Sequence, residues 1–116
     1  MKVLVVDDDP VVVLSCRRVL EAEGMEVHAA TSVVAGEAML AAERFELLLT
    51  DIKMPGRNGY AMMVQARKNH PDMPILIMTG YMTPETIEQG RRCGAENYIA
   101  KPFTPDELMK IIRELQ

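Results

Sequence analysis

The chain has no tryptophan, two phenylalanines and three tyrosines, too few rings to build a base-stacking surface. Histidine and cysteine are almost as scarce. His28 and His70 stand apart, and Cys16 and Cys93 fall in different expected helices without metal-ligand spacing. Neither a zinc centre nor a disulfide framework is expected; the thiols read as reduced and partly buried. A long apolar run is also missing, since nothing approaches the roughly 20 residues of a membrane-spanning helix. Met1-Lys2-Val3-Leu4 goes straight into a strand with no signal-peptide pattern. Acidic residues outnumber basic ones, and a net charge of −4 argues against a phosphate-backbone binder. The expectation is a cytoplasmic chain with no membrane segment and no direct nucleic-acid partner.

What is present is ordinary globular material. The 116 residues suffice for one domain, 1–116, that buries roughly two-thirds of its unfolded surface. The ten methionines are most simply core and boundary fillers. No linker, repeat or low-complexity segment interrupts the pattern.

Lys2-Val3-Leu4-Val5-Val6 reads as a first strand, closed by Asp7-Asp8-Asp9-Pro10. Asp9 before Pro10 is a strong helix start, an N-cap carboxylate followed by proline at the first helical position. Val12, Val13, Cys16, Val19 and Leu20 follow at helical spacing, and Gly24 stops the helix. Val27–Ala30 is a short second strand. Thr31 or Ser32 then caps a second helix whose apolar face is expected from Val34, Ala38, Leu40 and Ala41. Leu47–Leu49 is a strand buried on both faces, ending at Asp51 and stopped by Pro55-Gly56. A third helix starts near Asn58-Gly59 and runs to His70-Pro71. Pro74–Thr79 is the fourth strand. Thr83-Pro84 opens a fourth helix that has little large apolar content beyond Ile87, so packing should hold it weakly; Gly94 closes it. Asn97–Ala100 is the fifth strand. Thr104-Pro105-Asp106-Glu107 is a capping box, and Leu108, Ile111, Ile112 and Leu115 form the stripe of a fifth helix.

Five strands alternating with five helices call for an α/β fold, a parallel sheet covered on both faces in three layers. Right-handed crossovers favour the doubly wound order 2-1-3-4-5. In that order the first and third strands lie side by side, and Asp7, Asp8 and Asp51 stand at their carboxyl ends, where open α/β sheets bind ligands. Thr79 and Lys101 end two further strands on the same edge. Each residue alone means little, because polar residues commonly follow strands. Together, parallel topology forces them into one crevice.

Three carboxylates placed together repel, so cations must compensate. Lys101 is one. Oxygen-only ligands make a hard divalent ion the second, magnesium above all, with manganese as a substitute. Such an ion bridges carboxylates and an incoming phosphoryl group. Asp51 then supplies the attacking oxygen and becomes an acyl phosphate. Lys101 pairs with the same oxygens, and the Thr79 hydroxyl can donate to them.

Val5-Val6-Asp7-Asp8, Asp51 with Met54-Pro55-Gly56, Thr79-Gly80, and Lys101-Pro102-Phe103 resemble, over essentially the whole chain, the receiver domain of response regulators in two-component signalling. The resemblance implies a flavodoxin-like, CheY-like fold and a phosphoacceptor signalling domain rather than an enzyme, one that catalyses only its own phosphotransfer and dephosphorylation. It implies that Asp51 takes phosphate from a phosphohistidine on a sensor histidine kinase or phosphotransfer protein. Asp8 and Asp51 would ligate magnesium directly, Asp7 largely through water, and the Lys53 backbone carbonyl would complete the protein ligands. Thr79 would move toward the phosphoryl group and Tyr98 would rotate inward. Those movements would remodel the face of helix four, strand five and helix five for an effector domain or partner protein, in a monomer or a phosphorylation-dependent dimer. The Lys101-Pro102 bond is expected to be cis. Asn58 departs from the acidic residue that many relatives carry, with little consequence expected beyond capping helix three. Lys53 and Tyr81, each two residues past a site residue, should project over the crevice mouth and shield the acyl phosphate from water.

Rival classes fit less well. A haloacid-dehalogenase-type phosphohydrolase also uses a strand-end aspartate, but it wants a second Asp where Lys53 stands. A flavin- or nucleotide-binding module needs a loop that cradles phosphate, and the loop after the first strand is triply acidic. A receiver that acts without phosphorylation usually lacks an acidic or lysine position, and none is missing. Helix five ends almost at Gln116, so no effector domain is expected within the chain. A stand-alone receiver and a module of a larger regulator or hybrid kinase both stay open.

Overall fold

The computed structural model describes residues 1–54 and 59–116. Its elements are β1 (Lys2–Val6), α1 (Pro10–Ala22), β2 (Glu26–Ala30), α2 (Val33–Ala42), β3 (Leu47–Thr50), α3 (Gly59–Asn69), β4 (Ile75–Thr79), α4 (Pro84–Arg92), β5 (Asn97–Ala100) and α5 (Pro105–Glu114). The sheet is parallel throughout, in the order β2-β1-β3-β4-β5. The Pro55-Gly56 turn and the Asn58 cap lie outside the described residues.

Burial on both faces explains the continuous apolar strands. In β1, Leu4 and Val6 pack into a core with α2 and α3 residues such as Leu40, Met62 and Met63. Val3 and Val5 point the other way, against Val13, Cys16 and Leu20 of α1 and Leu108 and Ile112 of α5. The period of two along each strand thus divides the interior into two half-cores.

Local chemistry sets the helix starts. Asp9 accepts from the Val11 N–H at 2.9 Å with Pro10 following, and Ser32, rather than Thr31, caps α2 through the Ala35 N–H. Thr104 and Glu107 form the reciprocal capping box of α5. Gly24 and Gly94 adopt positive φ of 82° and 108° just past α1 and α4, where side chains are disfavoured. The stripe of α5 holds, with Ile111 and Leu115 partly buried at its margin and Met109 joining it.

The face of α2 differs from expectation. Val33, Gly36 and Leu40 turn inward, Val34 is 62% exposed, and Ala38 and Ala41 lie outside. A helix of Val, Ala, Met and Leu with a single charged residue gives no polar contrast to phase its stripe. Packing decides instead: a Cβ at Gly36 would stand 3.0 Å from both Met62 Sδ and Val6 Cγ2, so this glycine lets α2 close onto the sheet.

Candidate functional site at the carboxyl edge of the sheet

The strand ladder continues one residue beyond the last strand positions, and this holds the site side chains rigidly. The Asp7 N–H donates to the Ala30 carbonyl at 3.1 Å, the Asp51 N–H to the Val6 carbonyl at 3.0 Å, and the Lys101 N–H to the Thr79 carbonyl at 2.8 Å. Asp7, Asp51 and Lys101 therefore leave the sheet from a fixed backbone. Lys101 Nζ donates to Asp7 Oδ2 at 2.6 Å and to Asp51 Oδ2 at 2.7 Å. Asp51 Oδ1 accepts from the Ile52 N–H at 2.6 Å and the Lys53 N–H at 3.2 Å. Asp7 Oδ1 accepts from the Asp9 N–H at 2.9 Å. The peptide bond between Lys101 and Pro102 is cis.

The Asp7 side chain is fully buried, with 0% exposure, and that of Asp51 is 13% exposed. Burial strips water from the Asp7 charge and pushes its carboxyl above the usual range, against the opposing hydrogen bond from Lys101. Burial works against the Lys101 ammonium too, but its hydrogen bonds to Asp51 and Asp7 outweigh that and leave its pKa raised. The two directions are compatible because one ammonium draws on two carboxylates while Asp7 shares a single ammonium.

Asp8 is exposed and completes the cluster: Asp7, Asp8 and Asp51 each present an oxygen, all within 4.8 Å of one another. Three carboxylates against one ammonium leave an excess of two negative charges. The donors are all hard oxygens, and a divalent cation of the magnesium type would balance that excess. The residues present therefore fit a magnesium ion.

The remaining sequence-derived candidates fall into three places. Thr79 is buried at the end of β4, where its hydroxyl oxygen accepts from the Tyr81 N–H at 2.9 Å. Lys53 and Tyr81 are brought together, with the ammonium 3.8 Å from the ring centroid, a cation–π contact that joins the segments after β3 and β4. Tyr98 lies apart from the carboxylates, against α4, where its hydroxyl donates to the Ile87 carbonyl at 2.6 Å. Burial raises its phenol pKa, so the group stays a donor.

Two supporting residues were not singled out from the sequence. Thr50, fully buried, donates its hydroxyl to the Asp51 carbonyl at 2.6 Å. Gly59 opens α3 so close to the site that a Cβ there would stand 2.9 Å from Ile52 Cα and 3.0 Å from the Asp51 carbonyl oxygen. A glycine placed just after the Pro-Gly turn was the available signal for the second; a threonine inside an apolar strand gave none for the first.

A family model described as the response regulator receiver domain matches residues 3–113. Response regulator MprA of Mycobacterium avium strain 104 is 36% identical over 115 residues, which are 99% of this chain and 50% of that protein, so the chain spans half the length of MprA. Among solved structures, a CheY-like response regulator receiver domain protein from Methanospirillum hungatei JF-1 superposes with a TM-score of 0.93 at 37% identity, covering 97% of this chain and 90% of that one. Chemotaxis protein CheY4 of Vibrio cholerae superposes with a TM-score of 0.95 at 29% identity, covering 99% and 98%.

Proposed function

The chain belongs to the response regulator receiver domain family of two-component signalling, and on that premise we propose that Asp51 accepts a phosphoryl group from a phosphohistidine and thereby switches the α4–β5–α5 face. The observation that carries this proposal is the bridging of Asp7 and Asp51 by Lys101, with Asp8 beside them. A carboxylate oxygen of Asp51 attacks phosphorus, the oxygen–phosphorus bond forms, and the phosphorus–nitrogen bond to the donor imidazole breaks; the imidazole nitrogen leaves with the electron pair and takes up a proton.

Asp8, Asp51 and the Lys53 backbone carbonyl would hold magnesium or manganese, with Asp7 acting through water. When bound, the ion neutralises charge on the phosphoryl oxygens. Lys101 keeps an ammonium beside the same oxygens. Its Asp7 contact fixes its direction, so charge stabilisation is already oriented before the phosphoryl group arrives. The Thr79 hydroxyl, whose oxygen accepts from the Tyr81 N–H, donates its own hydrogen to a phosphoryl oxygen, and Tyr98 rotates inward in response. Lys53 and Tyr81, stacked over the mouth, slow the approach of in-line water and lengthen the life of the acyl phosphate.

The donor is a sensor histidine kinase or phosphotransfer protein, and the remodelled face serves an effector domain or partner protein, in a monomer or a phosphorylation-dependent dimer. Among the described residues no helix is long and apolar enough to cross a membrane, and we place the domain in the cytoplasm. The test is incubation with acetyl phosphate and magnesium, comparing wild type with Asp51→Asn by intact mass. One added phosphoryl group, absent from the variant, is expected; equal labelling of both proteins would overturn the assignment.

A further inference from the structure

Helix α4 contacts the rest of the molecule in an unusual way. Its one large apolar residue, Ile87, is 38% exposed, and among the described residues of α4 Gly90 alone is buried. Glycine inside a helix is destabilising relative to alanine, so Gly90 calls for a steric reason. The surroundings supply one. A Cβ at this position would stand 2.7 Å from Ile77 Cδ1, 2.9 Å from the Tyr98 hydroxyl oxygen and 3.0 Å from Tyr98 Cε1. Two of these three contacts belong to one ring. One turn earlier, the Ile87 carbonyl accepts from the same hydroxyl at 2.6 Å, and the Ala95 carbonyl lies 3.3 Å from it. The Ala95 N–H in turn donates to the Gly90 carbonyl at 2.9 Å.

We infer that Gly90 is a positioning residue for Tyr98: the missing side chain at this point of α4 is the recess that receives the hydroxyl end of the ring, so the size of residue 90 sets where Tyr98 rests. Ile77 is fully buried in the core and has nowhere to retreat. Tyr98 stands on β5, the outermost strand, and is only partly buried, so its ring is free to leave. If α4 moves instead, the Ile87 carbonyl moves with it, and the same hydrogen bond breaks. Through this recess the attachment of α4 and the position of Tyr98 become one variable, and both belong to the face proposed above to carry the output. The regulatory meaning rests on that proposal; the recess itself does not.

The test uses the full chain carrying fluorotyrosine, with the Tyr98 resonance identified by its loss in Tyr98→Phe and read without phosphodonor or metal. In Gly90→Ala the Tyr98 resonance is expected to shift toward that of a solvent-exposed ring. The α4 amides should exchange about fivefold faster, as one hydrogen bond is lost despite the better helix former. Adding Ile77→Val removes the Cδ1 atom and should leave the Tyr98 resonance displaced. An unchanged resonance in Gly90→Ala, or its return to the wild-type position on adding Ile77→Val, would overturn the inference, since the recess would then serve Ile77 alone. Should Gly90→Ala fail to fold, Tyr98→Phe in the native Gly90 background is expected to speed α4 exchange by a similar factor, and unchanged exchange would be equally fatal. Acetyl phosphate and magnesium then separate the two proposals. Phosphorylated wild type with an unmoved Tyr98 signal would remove the regulatory role of the recess, whereas no phosphate uptake would overturn the function proposed for Asp51 and leave the recess to the fluorine comparison.

Discussion

Replacing Lys101 by methionine keeps an unbranched side chain, one heavy atom shorter, and removes its charge from between two carboxylates. In the native protein the ammonium lies 2.6 Å from Asp7 and 2.7 Å from Asp51, with the Asp7 side chain fully buried. Without it, carboxylate oxygens within 4.8 Å of one another face each other uncompensated. At an effective dielectric of about 20, two unit charges at that separation repel by about 3.5 kcal/mol. Removing one partner of a buried ion pair costs a similar ~3–5 kcal/mol. Asp7, whose pKa burial already raises, takes up a proton more readily in the variant, and Asp51 keeps some contact with water; both soften the loss. The expected destabilisation is about 3 kcal/mol in chelator-treated buffer, measured by urea unfolding with an unchanged denaturant slope. Magnesium should then stabilise Lys101→Met more than wild type, because the cluster holds one more uncompensated negative charge. A loss below about 1 kcal/mol, or an equal magnesium response in the two proteins, would refute the charge balance on which the site reading depends.

Asp8 is exposed and adds the third negative charge, so Asp8→Asn should stabilise the metal-free protein by about 0.5 kcal/mol while weakening magnesium binding, both readable from urea titrations with and without the ion. A Lys53→Ala, Tyr81→Ala double variant should lose its acyl phosphate about two- to fivefold faster, the equivalent of the ~0.5–1 kcal/mol of an exposed cation–π contact; decay no faster than wild type would remove the shielding role. Burial, then the neighbouring Asp7 charge, push the Cys16 thiol from 9.0 up to about 11. At pH 8 only about one native molecule in a thousand then carries a thiolate there. Iodoacetamide at pH 8 should therefore leave Cys16 unlabelled until the protein is unfolded, as mass spectrometry of the two states would show.

The order of strands and helices was legible in the amino acids because apolar runs, caps and glycine stops are local signals, each read within a few residues. The convergence of Asp7, Asp8, Asp51 and Lys101 also followed, since parallel topology leaves strand ends nowhere else to go. The cis bond before Pro102 followed from family resemblance alone. Three features waited for the tertiary structure. The inward face of α2 has no periodic contrast in its side chains, and only the close approach of Val6 and Met62 to Gly36 decides it. The support that Thr50 and Gly59 give to the Asp51 backbone depends on a hydroxyl hidden in an apolar strand and on how closely the start of α3 approaches Ile52 and the Asp51 carbonyl. The recess at Gly90 depends on a ring eight residues further along and on which way it turns. Chain chemistry determined which elements form and which charges meet; packing of one element on another, which no local pattern encodes, decided which face turns in and where a missing side chain matters.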